Sequence, residues 1–313
     1  MPTKLGKTEI TVPSLCLGTW SWGDSLFWNY GKNYGKQEVE EAFKVALQYG
    51  LNFFDTAEVY GNGLSEKLLG EFMKNTSQPI YIATKFGPLP WRVWGQSVKD
   101  ALQDSLDRLQ VSQIPLYQVH WPFTFFMSQE TLLNALADEV KAGKTLAVGV
   151  SNYSADEMRL AHQILADRGV ILATNQVRYS LLSRQIESKG IWQTAQELGV
   201  TILAYSPLAQ GLLTGKYTAK NPPTGPRSFD SRFSEKGLIK IEPVLSLLRK
   251  IGEKYDKTMA QVALNWINSR DSVMAIAGVK NAAQVRDNAG ALGWEMSPEE
   301  IESLELASRP WLS

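Results

Sequence analysis

The stretch "IPLYQVHWP", residues 114–122, is an alternating apolar run that ends on one of only two histidines in the 313-residue chain. A strand that needed only to pack would do better with Val or Leu, because a buried imidazole must satisfy two ring nitrogens. A hydrogen-bonded core histidine explains the residue taken alone. What the run shares with the rest of the chain decides between the two readings.

Seven other β-rich runs stand beside it: "SLCLGTW" (14–20), "NFFDTA" (52–57), "IYIATKF" (80–86), "TLAVGVSN" (145–152), "ILATNQV" (171–177), "TILAYSPL" (201–208) and "VMAIAGV" (273–279). Amphipathic segments separate them. In "KQEVEEAFKVALQYG" (36–50), Val39, Phe43, Ala46 and Leu47 share one face and Gly50 supplies a stop. Similar segments are predicted at about 97–109, 128–143, 154–168 and 186–199. Strand followed by helix, eight times over, predicts an α/β chain folded as a (β/α)8 TIM barrel, one domain spanning residues 1–313. Between the seventh and eighth strands, "AQGLLTGKYTAKNPPTGPRSFDSRF" (209–233) is rich in Gly, Pro and basic residues. It reads as a long insertion serving as a flap, with extra helices toward the C-terminus.

Composition narrows the partners. The 32 basic and 32 acidic residues cancel, and no Lys/Arg block follows a phosphate backbone, so nucleic acid is not an expected partner. Cys16 is the only cysteine, which excludes an internal disulfide and a cysteine-rich zinc site, and no metal is expected. "MPTKLGKTEI" lacks an apolar signal core, and no apolar run approaches membrane-spanning length. These features fit a cytoplasmic protein with no membrane partner, and a monomer is favoured.

The strand ends carry the functional signal. Trp20, Asp55, Lys85, His120, Ser151 with Asn152, Gln176, and Tyr205 with Ser206 fall at or just past the C-terminal ends of their runs. In a barrel those ends converge on one rim, where barrel enzymes place catalytic groups. His120 is therefore expected to face a shared pocket. In "DTAEVYGNG" (55–63), the Gly-Asn-Gly turn can fold the Tyr60 phenol back over that pocket. A free phenol has a pKa near 10, so the Lys85 ammonium beside it is expected to lower that value, with Asp55 holding the lysine. His120 can then donate a hydrogen bond to a substrate oxygen while Tyr60 delivers a proton. The plainer alternative makes Asp55 and Lys85 a structural ion pair and Tyr60 a rim-capping aromatic.

The motifs "FFDTAEVYG", "ATKFG", "QVHWP", "VGVSNY", "NQVRYSLL", "AYSPLAQGLLTGKY" and "NAAQVRDNAGAL" resemble those of the aldo-keto reductases, in order and over nearly the whole chain. The resemblance implies reduction of aldehydes or ketones by NADPH bound without a Rossmann domain. It makes Tyr60 the acid and Asp55, Lys85 and His120 its partners. It implies that Ser151, Asn152 and Gln176 hold the carboxamide, that Tyr205 stacks on the nicotinamide, and that Trp20 borders both cofactor and substrate. Ser206, Leu208, Gln210, Gly211 and Lys216 would follow the pyrophosphate. Lys280, Gln284 and Asn288 recur at a spacing of four, which would put them on one helix face. The resemblance gives that face the adenosine end. Gln284 stands where many relatives carry Arg, and Lys280 can compensate. Lys280, with the basic flap residues Lys216 and Arg227, predicts a preference for NADPH over NADH. No GxGxxG motif occurs, in agreement with a non-Rossmann site.

Among the many rim aromatics, Trp20, Trp28, Trp91 and Trp121 are the expected substrate pocket, with Trp22, Phe27, Phe86, Trp94 and Phe123 near it or covering the barrel. "GTWSWGDSLFW", "PWR", "PTGPRS" and "GALGW" resemble a plant and cyanobacterial branch of the family that includes pyridoxal reductases, which implies pyridoxal or other aromatic aldehydes as substrates. Two alternatives remain. One is a nicotinamide-binding redox sensor or regulatory subunit with little turnover. The other is a Schiff-base lyase using Lys85, which the neighbouring Asp55 argues against by keeping the amine protonated.

Overall fold

The computed structural model describes residues 2–218, 221–223 and 230–313. Eight parallel strands close into a barrel: β1 (Leu15–Gly18), β2 (Phe53–Asp55), β3 (Tyr81–Phe86), β4 (Ile114–Val119), β5 (Thr145–Ser151), β6 (Leu172–Arg178), β7 (Thr201–Tyr205) and β8 (Val273–Gly278). Each strand pairs with its sequence neighbour, and β8 closes the ring against β1 through the register Ile276 to Cys16. All eight expected runs are strands, and the (β/α)8 architecture stands.

The period-two alternation decides which side chains fill the barrel. Cys16, Phe53, Ala83, Leu116, Leu203 and Met274 form a cluster inside it. Their neighbours Leu17, Phe54, Ile82, Tyr117 and Ala204 belong to the larger core shared with the surrounding helices. One step further along the inward-facing positions, the residues become polar: Asp55, Lys85, Gln118 and Gln176 are all buried. The barrel is thus apolar below and polar above, so its chemistry collects at the C-terminal rim.

A hairpin absent from the sequence reading closes the bottom. Strands Pro2–Lys4 and Thr11–Pro13 pair antiparallel, and Leu5, Ile10 and Val12 join the interior cluster. Three-residue strands in a polar segment give too little alternation to be read as strands. Gly6 seats the hairpin, donating its N–H to Thr201 Oγ1 at 2.8 Å. Its φ is +56°, and a Cβ there would lie 2.7 Å from the Ala173 carbonyl oxygen.

The helices depart from expectation in one split and one addition. The segment 186–199 is two helices, Gln185–Ser188 and Ile191–Leu198, separated by Gly190 in the left-handed region at φ 69°. A further helix, Leu64–Met73, follows directly on the glycine turn after Tyr60. Within the insertion a 3-10 turn spans Ala209–Thr214, while Arg227 lies outside the described residues; a 21-residue helix, Glu235–Tyr255, follows it. Pro298–Ala307 is the additional C-terminal helix. Among the described residues no helix is long and apolar enough to cross a membrane.

Candidate active site

At the top of the barrel Lys85 is completely buried, and its ammonium donates to three oxygens: Asp55 Oδ2 at 2.7 Å, the Thr56 carbonyl at 2.8 Å and the Tyr60 hydroxyl at 3.2 Å. Every N–H it carries is engaged. Burial alone would lower the amine's pKa, but the attraction and hydrogen bonds of Asp55 and Tyr60 more than offset it, so the pKa lies above the ordinary lysine value. A protonated, fully bonded amine is a poor Schiff-base nucleophile.

Asp55 is fixed from its other oxygen as well. Oδ1 accepts from Gln176 Nε2 at 2.7 Å and Gln118 Nε2 at 3.3 Å. Gln118 in turn accepts from Thr174 Oγ1 at 3.3 Å. This pair fits only because β5 carries Gly149, where a Cβ would lie 2.2 Å from Thr174 Oγ1 and 2.8 Å from Gln118 Cγ. The sequence reading missed Gln118, although its place two residues before His120 put it on the same strand face.

Tyr60 sits in a tight turn whose Gly61, Asn62 and Gly63 all have positive φ. Burial pushes its phenol above the usual tyrosine value; Lys85 pulls it down, and Asp55 and Tyr205 push it up. The expectation of a lowered phenol is thus corrected, because desolvation outweighs the pull of Lys85. The phenol is therefore protonated at neutral pH. Because Lys85 donates to its oxygen, its own hydrogen is left for an acceptor in the cavity.

The His120 ring meets Tyr60 edge to face, with centroids 5.7 Å apart. Burial first, and then the Lys85 charge, lower its pKa to about 3. The imidazole is therefore neutral. Its Nδ1 is buried with no hydrogen-bond partner among the described residues. Placing the ring proton there would bury an unsatisfied donor, so the Nε2–H form is favoured.

A cavity of about 500 Å3 opens over these groups and runs to Lys280 and Gln284. Asn152, at φ 62°, donates to the His120 carbonyl at 3.3 Å and to Ser151 Oγ at 3.1 Å, and its Oδ1 accepts from Tyr205 OH at 3.0 Å. After β7, Ser206, Ala209, Gln210 and Gly211 all have positive φ and turn the chain along the wall. Lys216 lies over that turn, since a Cβ on Gly211 would meet its Cε at 3.1 Å. An elongated trough with amide and hydroxyl groups at one end and lysines along it suits a nucleotide carrying several phosphates. Ser206, Leu208, Gln210 and Gly211 all line it, as do Trp20, Trp28 and Trp121.

The family model for aldo/keto reductases matches residues 14–309. The chain belongs to the aldo/keto reductase family. It is 40% identical to the chloroplastic pyridoxal reductase of Arabidopsis thaliana, over 98% of this chain and 86% of that protein. It is 30% identical to the NADH-specific methylglyoxal reductase of Escherichia coli, over 94% of each. Among solved structures, the glycerol dehydrogenase of Gluconobacter oxydans superposes with a TM-score of 0.87 at 27% identity, covering 98% of this chain and 94% of that one. This aldo/keto reductase is an oxidoreductase that acts on small-molecule carbonyl compounds with a nicotinamide cofactor.

Three of the sequence expectations for the reductase's site require correction. Lys280 does not share a helix face with Gln284 and Asn288, because the helix begins at Ala282 and Asn281 caps it, its side chain accepting from Gln284 N at 3.0 Å. An asparagine at that position favours the cap over a further helical turn. Lys280 instead precedes the helix, its backbone N–H donating to Gln284 Oε1 at 2.8 Å and its ammonium 4.4 Å from the Trp28 ring centre and 4.8 Å from that of Tyr34. Asn288 is buried and does not line the cavity. Trp91 is 72% exposed and also lies away from it.

The aromatic mouth is made by Trp20, Trp28 and Trp121. Trp20 stacks on Phe27 at 5.1 Å and meets Trp28 edge to face at 5.4 Å. Trp121 packs against His120 at 4.8 Å. Trp22 and Phe86 are fully buried and cover the barrel instead. Gly18, Ile276 and Gly278, on inward-facing positions of β1 and β8, also line the cavity and were not singled out in the sequence. Small and aliphatic strand residues carry no chemical signal.

Proposed function

We propose that this reductase converts aldehydes to alcohols with NADPH, flat aromatic aldehydes such as pyridoxal foremost, and that Tyr60 is the general acid. The observation that carries the reading is the chain Asp55–Lys85–Tyr60, with contacts of 2.7 and 3.2 Å, beneath a cavity that His120 also lines. The bound nicotinamide would supply the hydride. Tyr60 gives its proton to the carbonyl oxygen, and the Lys85 ammonium, already bonded to the phenol oxygen, stabilises the phenolate that remains. Neutral His120, protonated at Nε2, donates to the same oxygen and fixes its position. Ser151, Asn152, Gln176 and Tyr205 would hold the nicotinamide end, and Lys216 and Lys280 the phosphates. Two lysines along the trough support NADPH. The aromatic walls support a flat substrate, and the Arabidopsis relative's name points the same way. A panel of pyridoxal, benzaldehyde, methylglyoxal and propionaldehyde, each followed by NADPH oxidation and by NADH oxidation, tests the reading. Highest kcat/KM for pyridoxal or benzaldehyde with NADPH is expected; preference for propionaldehyde, or for NADH, would overturn the corresponding part.

A further inference from the structure

The loop that carries Tyr60 is tied to the loop that follows Lys85 by an ion pair outside the four catalytic groups. Glu58 and Arg92 form a bidentate pair, with side chains only 8% and 14% exposed. Arg92 Nη2 donates to Glu58 Oε2 at 2.8 Å, and Arg92 Nη1 to Glu58 Oε1. Both also hold Gly87: its N–H donates to Glu58 Oε1 at 2.5 Å, and its carbonyl accepts from Arg92 Nη1 at 2.8 Å. The guanidinium lies 4.9 Å from the centre of the Phe86 ring. Glu58 is two residues before Tyr60, and Gly87 is two residues after Lys85. The four groups therefore brace the same two segments that the 3.2 Å Lys85–Tyr60 hydrogen bond joins. Gly87 eases this close packing: a Cβ there would stand 3.3 Å from Glu58 Oε1 and 3.3 Å from Val59, a tight fit, and 3.5 Å from Trp121, the residue packed on His120.

We infer that Glu58 and Arg92 are positioning residues, which hold the Tyr60 phenol against the Lys85 ammonium. The inference rests on the proposed role of Tyr60 as acid. A bidentate Arg–carboxylate pair sets both distance and angle, which a single flexible ammonium does not. The groups facing the phenol are Lys85, Asp55, Tyr205 and His120. Neither Glu58 nor Arg92 touches it, so their influence passes through geometry. When the brace is loosened, Lys85 retreats from the phenol and its downward pull on the phenol's pKa weakens. Alcohol oxidation, which needs Tyr60 as phenolate, then requires higher pH.

The test uses Glu58→Gln, Arg92→Lys and Tyr60→Phe in the full chain. Benzaldehyde reduction and benzyl alcohol oxidation are followed with saturating NADP(H), and cofactor affinity and thermal unfolding are measured in parallel. Glu58→Gln and Arg92→Lys should lower kcat roughly 10- to 100-fold, leave the cofactor Kd unchanged and displace the alkaline limb of alcohol oxidation upward. Arg92→Lys keeps the charge and loses only the fork, so a folded variant with displaced pH limb identifies position, not charge, as the cause. Lowered thermal stability with wild-type kcat and pH profile in both variants would overturn the inference. Full turnover in Tyr60→Phe would instead overturn the acid assignment on which it rests; an inactive Tyr60→Phe beside unaltered brace variants rejects the brace alone.

Discussion

The ammonium of Lys85 stands 3.2 Å from the phenol oxygen of Tyr60 and 4.8 Å from the centre of its ring. The lysine thus meets the tyrosine where negative charge appears when the proton leaves. Removing that charge, as in Lys85→Met, raises the cost of forming phenolate and leaves the Asp55 carboxylate buried without its cation.

For Tyr60→Phe the expectation is loss of turnover by roughly 100-fold or more with cofactor affinity retained, since in the proposed mechanism the phenol acts only as the carbonyl is reduced. Single-turnover kinetics beside fluorescence titration of the cofactor would separate the two quantities. Equal losses in both would mean that Tyr60 builds the site without donating a proton.

Acid should destabilise the native protein through His120. Its pKa is lowered to about 3 in the folded state from an ordinary 6.5, so the unfolded chain binds the extra proton more readily. The stability this group contributes is present above the ordinary value and is lost as pH falls through the folded one. Thermal unfolding of wild type and His120→Asn from pH 7 to pH 4 should show a steeper decline in wild type. Parallel curves would show that the imidazole ionises as easily in the fold as in water.

The ammonium of Lys280, which the proposed reading assigns to the cofactor phosphates, lies over the Trp28 and Tyr34 rings at the mouth. Lys280→Glu should erase a preference for NADPH worth about 1.5–3 kcal/mol, or roughly one to two decades of affinity. It should also loosen Trp28, raising KM for aromatic aldehydes. Measured dissociation constants for both cofactors, with KM for benzaldehyde, check the two effects together.

Trp28→Ala and Trp121→Ala should narrow the ratio of kcat/KM for benzaldehyde over propionaldehyde by several-fold, as stacking of about 0.5–1.5 kcal/mol per ring is lost. Trp91→Ala, at a residue 72% exposed and outside the cavity, should leave that ratio where it was.

Gly149→Ala should cost about 1–3 kcal/mol of stability, because the new methyl overlaps Thr174 and displaces Gln118 from Asp55. Denaturant unfolding measures the cost. A neutral result would show that β5 shifts freely at the bulge between Val148 and Gly149.

The chain's own order determined the barrel and most of its polar rim. Period-two runs ending in Asp55, Lys85, His120, Ser151 and Gln176 are local facts, and parallel closure turns strand ends into neighbours without further information. Tertiary structure alone decided the rest. The hairpin Pro2–Lys4 with Thr11–Pro13 exists because the barrel floor offers apolar surface to cover, which its few residues do not announce. Lys280 left the helix face because Asn281 took the cap, and Trp91 left the pocket because its loop lies outside the cavity. The direction of the Tyr60 shift depended on how much water the fold removes, weighed against one ammonium. Periodicity and residue type act over a few neighbours in sequence. Burial and charge act through space, and their balance is set only once distant segments meet.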